Sequence, residues 1–271
     1  MLMQIPVLTY HATNIFGNEY SSNDHIALAH DLKLLLKQDI TILSAHKLIQ
    51  WMNREIHLDK SKHYVVITFD DGSELDFTDW HHPTCGFQKS FYTTMQEYMN
   101  SSGRYIHATS FVIASARARK TLEQTCLGGH QMWGDNWWQK AEDSQLISIE
   151  NHSWDHLHPT LNEVSQTENL KGDFSVIKSY IDANQQIYQS SKYINQVIKN
   201  KTTTLFAYPY GDFSDYLTDQ YFPNSQKEIK GAFTCEASHV SQQSNIWKIP
   251  RYVCGSDWKS IEELESILIA I

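Results

Sequence analysis

The chain has 271 residues, 41% of them hydrophobic and 20% charged, with a formal net charge of −9. That length suits one large domain of α/β-barrel size, residues 1–271, with apolar material for a sizeable core. The acidic balance argues against nucleic acid or an anionic membrane as the main partner.

In chain order, Ile5 to Tyr10 reads as a strand ending at His11, and Asp24 to Lys37 as an amphipathic helix. The opening stretch, Met1-Leu2-Met3-Gln4-Ile5-Pro6, has neither a basic region nor a long apolar core. No run is long enough to span a bilayer, and the expectation is a cytoplasmic protein. Ile40 to Leu43 is a short strand, and Ser44 caps a helix through about Glu55. Residues 63–69 form the central strand, a β-branched run of the kind buried on both faces. It drives into Asp70, Asp71 and Gly72, two adjacent carboxylates and a turn residue. Their mutual repulsion calls for either a bound cation or solvation of the turn. An irregular segment, 73–87, is longer than an ordinary βα loop and reads as an insertion. A helix from about Gln88 to Asn100 leads to a strand, His107 to Ala114, and a second irregular insertion covers 126–138. A helix near 139–145 precedes a strand, Leu146 to Glu150, and helices fill 160–200. Thr203 to Ala207, Ala232 to Cys235 and Trp247 to Val253 are the last strands. Ser260 to Ile271 is a helix in which Ser260 and Glu263 have capping-box spacing.

Strands alternating with helices predict a distorted (β/α) barrel of about seven or eight parallel strands. His11, Asp70, Asp71, His152 and Tyr210 all fall just past a strand's C-terminal end. In a parallel barrel those ends share the face where chemistry sits. His152 and His156 are four residues apart, a spacing that on a helical turn puts both rings on one face. With 14 histidines in the chain, random placement gives roughly 0.7 such pairs, so spacing alone is weak evidence. The pair gains weight from its place after a strand and from the upstream carboxylates. Two imidazoles, one carboxylate and open positions describe a catalytic zinc site. They also describe the facial triad of a non-haem iron oxygenase, although His-x-Asp order is absent and Asp70 would go unexplained.

Three motifs then stand in order: Thr68-Phe69-Asp70-Asp71-Gly72, His152-Ser153-x-x-His156 and Phe206-Ala207-Tyr208-Pro209-Tyr210-Gly211. Together they resemble the polysaccharide deacetylase family with the NodB homology domain (carbohydrate esterase family 4), over about residues 5–255. The resemblance implies a NodB-like barrel and metal-dependent removal of acetyl groups from N-acetylated sugars. It makes Asp70 the general base and Asp71, His152 and His156 the ligands of a divalent metal, zinc first, with cobalt or nickel as alternatives. The Tyr210 backbone N–H would meet the oxyanion. Two departures matter. Ala207 stands where many members carry arginine, and Arg251 in Ile249-Pro250-Arg251 looks like its substitute. A Leu-x-His is missing near the C-terminus, and Leu8-Thr9-Tyr10-His11 looks like the permuted arrangement of the poly-N-acetylglucosamine deacetylase branch. That makes His11 the general acid; a buried strand-end histidine is the competing reading.

Trp133, Trp137, Trp138 and Trp154 suit either a sugar-stacking platform or core packing. His81, His82 and His158 read as loop histidines, with a second metal site as the alternative. Asp155 is expected to orient a neighbour and Glu150 to be solvated. Four widely spaced cysteines without a C-x-x-C pair read as reduced thiols. The implied partner is an N-acetylated saccharide or related small amide. A non-sugar C–N bond, or saccharide binding without catalysis, remains as an alternative function.

Overall fold

The computed structural model describes residues 3–199, 201–224 and 228–269. Asn23 opens α1 (Asp24–Lys37) by accepting the His25 and Ile26 N–H groups, after β1 (Val7–Tyr10). β2 (Thr41–Leu43) is followed by α2 (Ala45–Met52), capped by the Ser44 hydroxyl. β3 is Tyr64–Phe69, buried throughout. The segment 73–87 folds as a 3-10 turn, Glu74–Asp76, and an antiparallel hairpin of β4 (Trp80–His82) and β5 (Gly86–Gln88). Ser90 caps α3 (Phe91–Ser102), which a left-handed Gly103 closes. β6 (Ala108–Val112) leads to α4 (Ala116–Cys126), a helix the sequence reading passes over although Ser115 caps it. α5 (Trp138–Ser144) and β7 (Ile147–Asn151) follow.

The expectation of helices through 160–200 holds only in its second half. A 3-10 turn at Phe174–Val176 precedes one continuous run: α6 (Tyr180–Ala183), a π turn (Asn184–Tyr188) and α7 (Gln189–Val197). Ahead of it the backbone forms isolated turns and bonds to side chains: Gln166 Oε1 accepts the Glu168 and Leu170 N–H groups, and Lys171 Nζ donates to the Leu161 and Asn162 carbonyls. β8 (Leu205–Ala207), a second π turn (Tyr216–Tyr221), α8 (Phe222–Asn224), β9 (Gly231–Phe233), β10 (Tyr252–Val253) and α9 (Ile261–Ile269) complete the order. Residues 270 and 271 of the expected last helix lie outside the described residues. Ser260 Oγ accepts the Glu263 N–H, but the Glu263 carboxylate bonds the Lys259 N–H, so the box is only half formed.

Apart from the β4–β5 hairpin, the described strands are parallel in one sheet of order β10-β1-β3-β6-β7-β8-β9, with β2 on the first half of β3. Ile249 bridges Phe233 while Tyr252 and Val253 pair with Leu8 and Thr9, so the segment 249–253 brings the row almost back onto itself. The strand expected from Trp247 to Val253 is thereby split at Pro250, which has no N–H to give a neighbour. Alternation along β3 sorts side chains between two cores. Val65, Ile67 and Phe69 pack outward under the helices, while Val66 joins Phe111, Leu205, Ala207, Phe233 and Ile249 inside the curl. All four cysteines are free thiols. Among the described residues, no helix is long and apolar enough to cross a membrane.

Candidate active site

The inward parity of Val66 carries on to Thr68 and Asp70, so Asp70 emerges at the strand end pointing into the curl. It is 3% exposed. Arg251, fully buried, grips it with two bonds of 2.7 Å, Nη1 to Oδ1 and Nη2 to Oδ2. The guanidinium is itself fixed by the Thr234 carbonyl on Nε at 2.9 Å. Burial alone would raise the Asp70 pKa; the Arg251 charge, with His152 behind it, outweighs burial and holds the carboxyl well below the usual range. Asp70 therefore stays ionised at neutral pH.

Asp71 and Gly72 both take left-handed backbone, with φ of 71° and 69°, and together turn the chain sharply. A Cβ on Gly72 would lie 2.6 Å from the Val112 Cβ and 2.9 Å from its Cα, so no side chain fits there. The Asp71 carbonyl accepts Trp133 Nε1 at 3.2 Å, which ties the 126–138 segment to this turn.

His152 follows β7. Its Nδ1 lies 2.9 Å from the Ala207 carbonyl, which fixes the proton there and leaves Nε2 as the free lone pair. That Nε2 is 3.7 Å from Asp71 Oδ1 and 3.9 Å from Asp70 Oδ2. His156 Nε2 is 3.6 Å from the same Asp71 oxygen. The two rings meet on a loop, not on a helical turn as the spacing suggests. Ser153, His156 and Leu157 have φ of 71°, 62° and 43°, and the loop is held by Ser153 Oγ accepting the His156 N–H and Asn151 Oδ1 accepting the Ser153 N–H. Such backbone is uncommon for residues other than glycine and concentrates at functional sites. Burial pushes the His156 pKa well down, so the ring is neutral and able to ligate. Among the described residues, Asp71, His152 and His156 are the group of three whose donor atoms converge, all within 4.8 Å.

A cleft of about 440 Å³ opens over these groups, lined among others by His11, Asp70, Asp71, His152, His156 and Tyr210. Arg251 is not on its surface but behind Asp70. The His11 N–H donates to Asp24 Oδ2 at 2.7 Å, and its Nδ1 is buried without a partner. Tyr210 has φ of 61° and sets its ring edge-on to His156 at 4.4 Å. A larger cavity, about 520 Å³ between α7 and α8, shares no residue with this cleft.

Other residues follow one of the readings left open or depart from expectation. Trp137 and Trp138 are core, 2% and 0% exposed, and Trp133 buttresses Asp71. The Asp155 carboxylate is taken by the Leu157 and Ser165 N–H groups and by Gln186 Nε2. Glu150 is not solvated: it is 2% exposed inside the curl, bonded by His46 Nε2 and by the Thr204 and Leu205 N–H groups. His158 lines the cleft, whereas His81 and His82 lie in the β4–β5 hairpin. Cys235 and Asp257 line the cleft too. Cys235 could have been found from its place past β9; Asp257 stands in no motif.

A family model described as polysaccharide deacetylase matches residues 57–221. No curated protein matches the chain. Among solved structures, the deacetylase PplD of Streptococcus pyogenes in complex with acetate is similar at 17% identity and a TM-score of 0.65, with 99% of each chain covered. IcaB from Ammonifex degensii is similar at 16% identity and a TM-score of 0.67, over 98% of this chain and 97% of that one. A de-N-acetylase from Aggregatibacter actinomycetemcomitans is similar at 15% identity and a TM-score of 0.65, over 98% of this chain and all of the other.

Proposed function

The chain belongs to the polysaccharide deacetylase family, and from that premise we propose that it is a metal-dependent hydrolase removing N-acetyl groups from N-acetylated saccharides. One observation carries the reading: three ligating atoms converge within 4.8 Å beside a carboxylate whose charge is fixed by a buried arginine. The donor set of one carboxylate and two imidazoles, with His152 oriented by a carbonyl and His156 kept neutral by burial, fits a divalent cation, zinc foremost and cobalt or nickel as alternatives. Asp71, His152 and His156 would hold such a cation, which would supply Lewis-acid polarisation of an acyl carbonyl and a more acidic water.

The remaining work falls to the side chains. Asp70 is kept anionic, and as the general base it takes the proton from the attacking water. Arg251 keeps that carboxylate aimed and charged. The Tyr210 backbone N–H, at the left-handed turn after β8, receives the negative oxygen of the tetrahedral species. His11, across the cleft, gives its proton to the departing amine as general acid.

The test is acetate release from N-acetylglucosamine oligomers and small acetylated amides, with chelated protein and after adding back zinc, cobalt or nickel. Release lost on chelation and restored by metal is the expected result. Stoichiometric metal binding without release from any sugar would move the reading to a non-sugar C–N bond or to binding alone. Absence of metal binding would remove its basis.

A further inference from the structure

The cleft does not end at His11. Past His11, Val253 and Ser256, three residues common to both, it continues into a second groove of about 410 Å³ that ends at Phe16. Phe16 is 81% exposed. A single exposed apolar side chain on a loop is ordinary. Here, though, the backbone beneath it is built as firmly as an element. Ile15 bridges Asn23, and the Phe16 N–H donates to the Ser22 carbonyl at 2.8 Å. Asn23 Nδ2 donates to the Gly17 carbonyl and to Gln88 Oε1, and Gln88 Nε2 donates to Asn18 Oδ1, pinning the loop to the β4–β5 hairpin. Gly17 lets the turn close tightly: a Cβ there would meet Ser22 Oγ at 2.7 Å. The fold thus spends a network of side chains on holding one aromatic ring in water beside a groove.

The opposite end of the cleft offers a contrast. Beyond Tyr210 and Cys235, a groove of about 310 Å³ reaches Phe213, but that ring carries Lys248 Nζ at 4.7 Å and packs on Tyr208. Phe213 serves local packing. Around Phe16 the groove is lined instead with small hydrogen-bonding groups, Asn14, Ser21 and Ser256 among them. A pre-set aromatic face with hydroxyl and amide groups around it matches a pyranose ring, which presents C–H bonds to the face and hydroxyls to the edge.

We propose that Phe16 is the stacking platform of a saccharide subsite adjoining the reacting residue. This rests on the deacetylase reading and adds to it the residue that holds the neighbouring sugar.

Phe16→Ala and Phe16→Trp, both at a solvent-exposed position, test it on the metal-loaded protein. N-acetylglucosamine and its short 1,4-linked and 1,6-linked oligomers serve as probes. Acetate release and calorimetric titration are measured side by side. Wild type is expected to prefer an oligomer to the monomer. Phe16→Ala should raise KM and Kd for that oligomer about three- to tenfold, the value of one aromatic contact. It should leave the monomer untouched, and Phe16→Trp should restore the oligomer. If Phe16→Ala handles oligomers as wild type does, or loses monomer equally, the platform is refuted. If no acetate is released from anything, the deacetylase reading fails on its own, while titration still decides this one: Phe16-dependent oligomer binding supports the platform, and no oligomer binding overturns it.

Discussion

Two aspartates in this molecule are both buried, yet their surroundings push their carboxyl pKa values in opposite directions. Asp70, inside the curl, is 3% exposed; Asp31, on α1 outside it, is fully buried. Asp31 receives three neutral donors, the Tyr10 and Tyr20 hydroxyls at 2.8 and 2.5 Å and Trp258 Nε1 at 3.4 Å, and burial still pushes its carboxyl up to about 7. Asp70 receives a guanidinium and is driven down. Hydrogen bonds from neutral groups do not offset desolvation here, whereas one clamped cation does. Asp70 is set apart from Asp31 by its counter-charge and by the open cleft above it.

The largest expected effect comes from removing the charge that the clamp preserves. Asp70→Asn should lower acetate release by about a thousandfold or more while stoichiometric metal binding persists. Activity surviving in that variant would remove Asp70 from the mechanism. Next, Arg251→Leu leaves a buried carboxylate unpaired and should cost about 3–5 kcal/mol in urea unfolding. Asp70→Asn added to it should recover most of the stability and none of the activity. A double variant as unstable as Arg251→Leu alone would show that the arginine acts through packing on Phe111 instead.

Asp31 sharpens the other side of the comparison. Its folded pKa lies above the unfolded value of 3.8, so the folded chain holds the proton more tightly. That contribution is complete below pH 3.8 and is lost as pH rises to about 7, at most about 4 kcal/mol over roughly three pK units. Asp31→Asn should flatten this part of the stability profile; an unchanged slope between pH 4 and 7 would mean Asp31 is ionised throughout. The smallest effect belongs to Glu150→Gln. Burial raises the Glu150 carboxyl, and an amide can accept the same two strand N–H groups while donating to His46. Stability is expected within about 1 kcal/mol of wild type and acetate release unchanged.

Much of this architecture was legible because it follows from periodicity. The buried run of β3 and its charged end could be read directly, since a strand covered on both faces needs an unbroken apolar sequence. Alternation could have placed Glu150 as well: it shares an inward face with Ser148 and His152, and the loop placement of His152 already fixed that parity. What sequence could not show is where local rules lose to side-chain bonding. The stretch after His156 looks helical but is tied down by Gln166 and Lys171, and His156 takes a left-handed backbone that no propensity favours. Arg251 became visible through a resemblance alone, because nothing in Ile249-Pro250-Arg251 announces a partner so far away.

That distance has a consequence in time. The bond from Arg251 to Asp70 spans 181 positions. During synthesis Asp70 leaves the ribosome long before its counter-charge exists. In that interval a collapsed chain that buries the carboxyl favours the protonated acid, as the Asp31 environment does. The ion pair is completed only when the last parallel segment docks between β9 and β1, so the segment that nearly closes the ring also brings the charge that keeps Asp70 ionised.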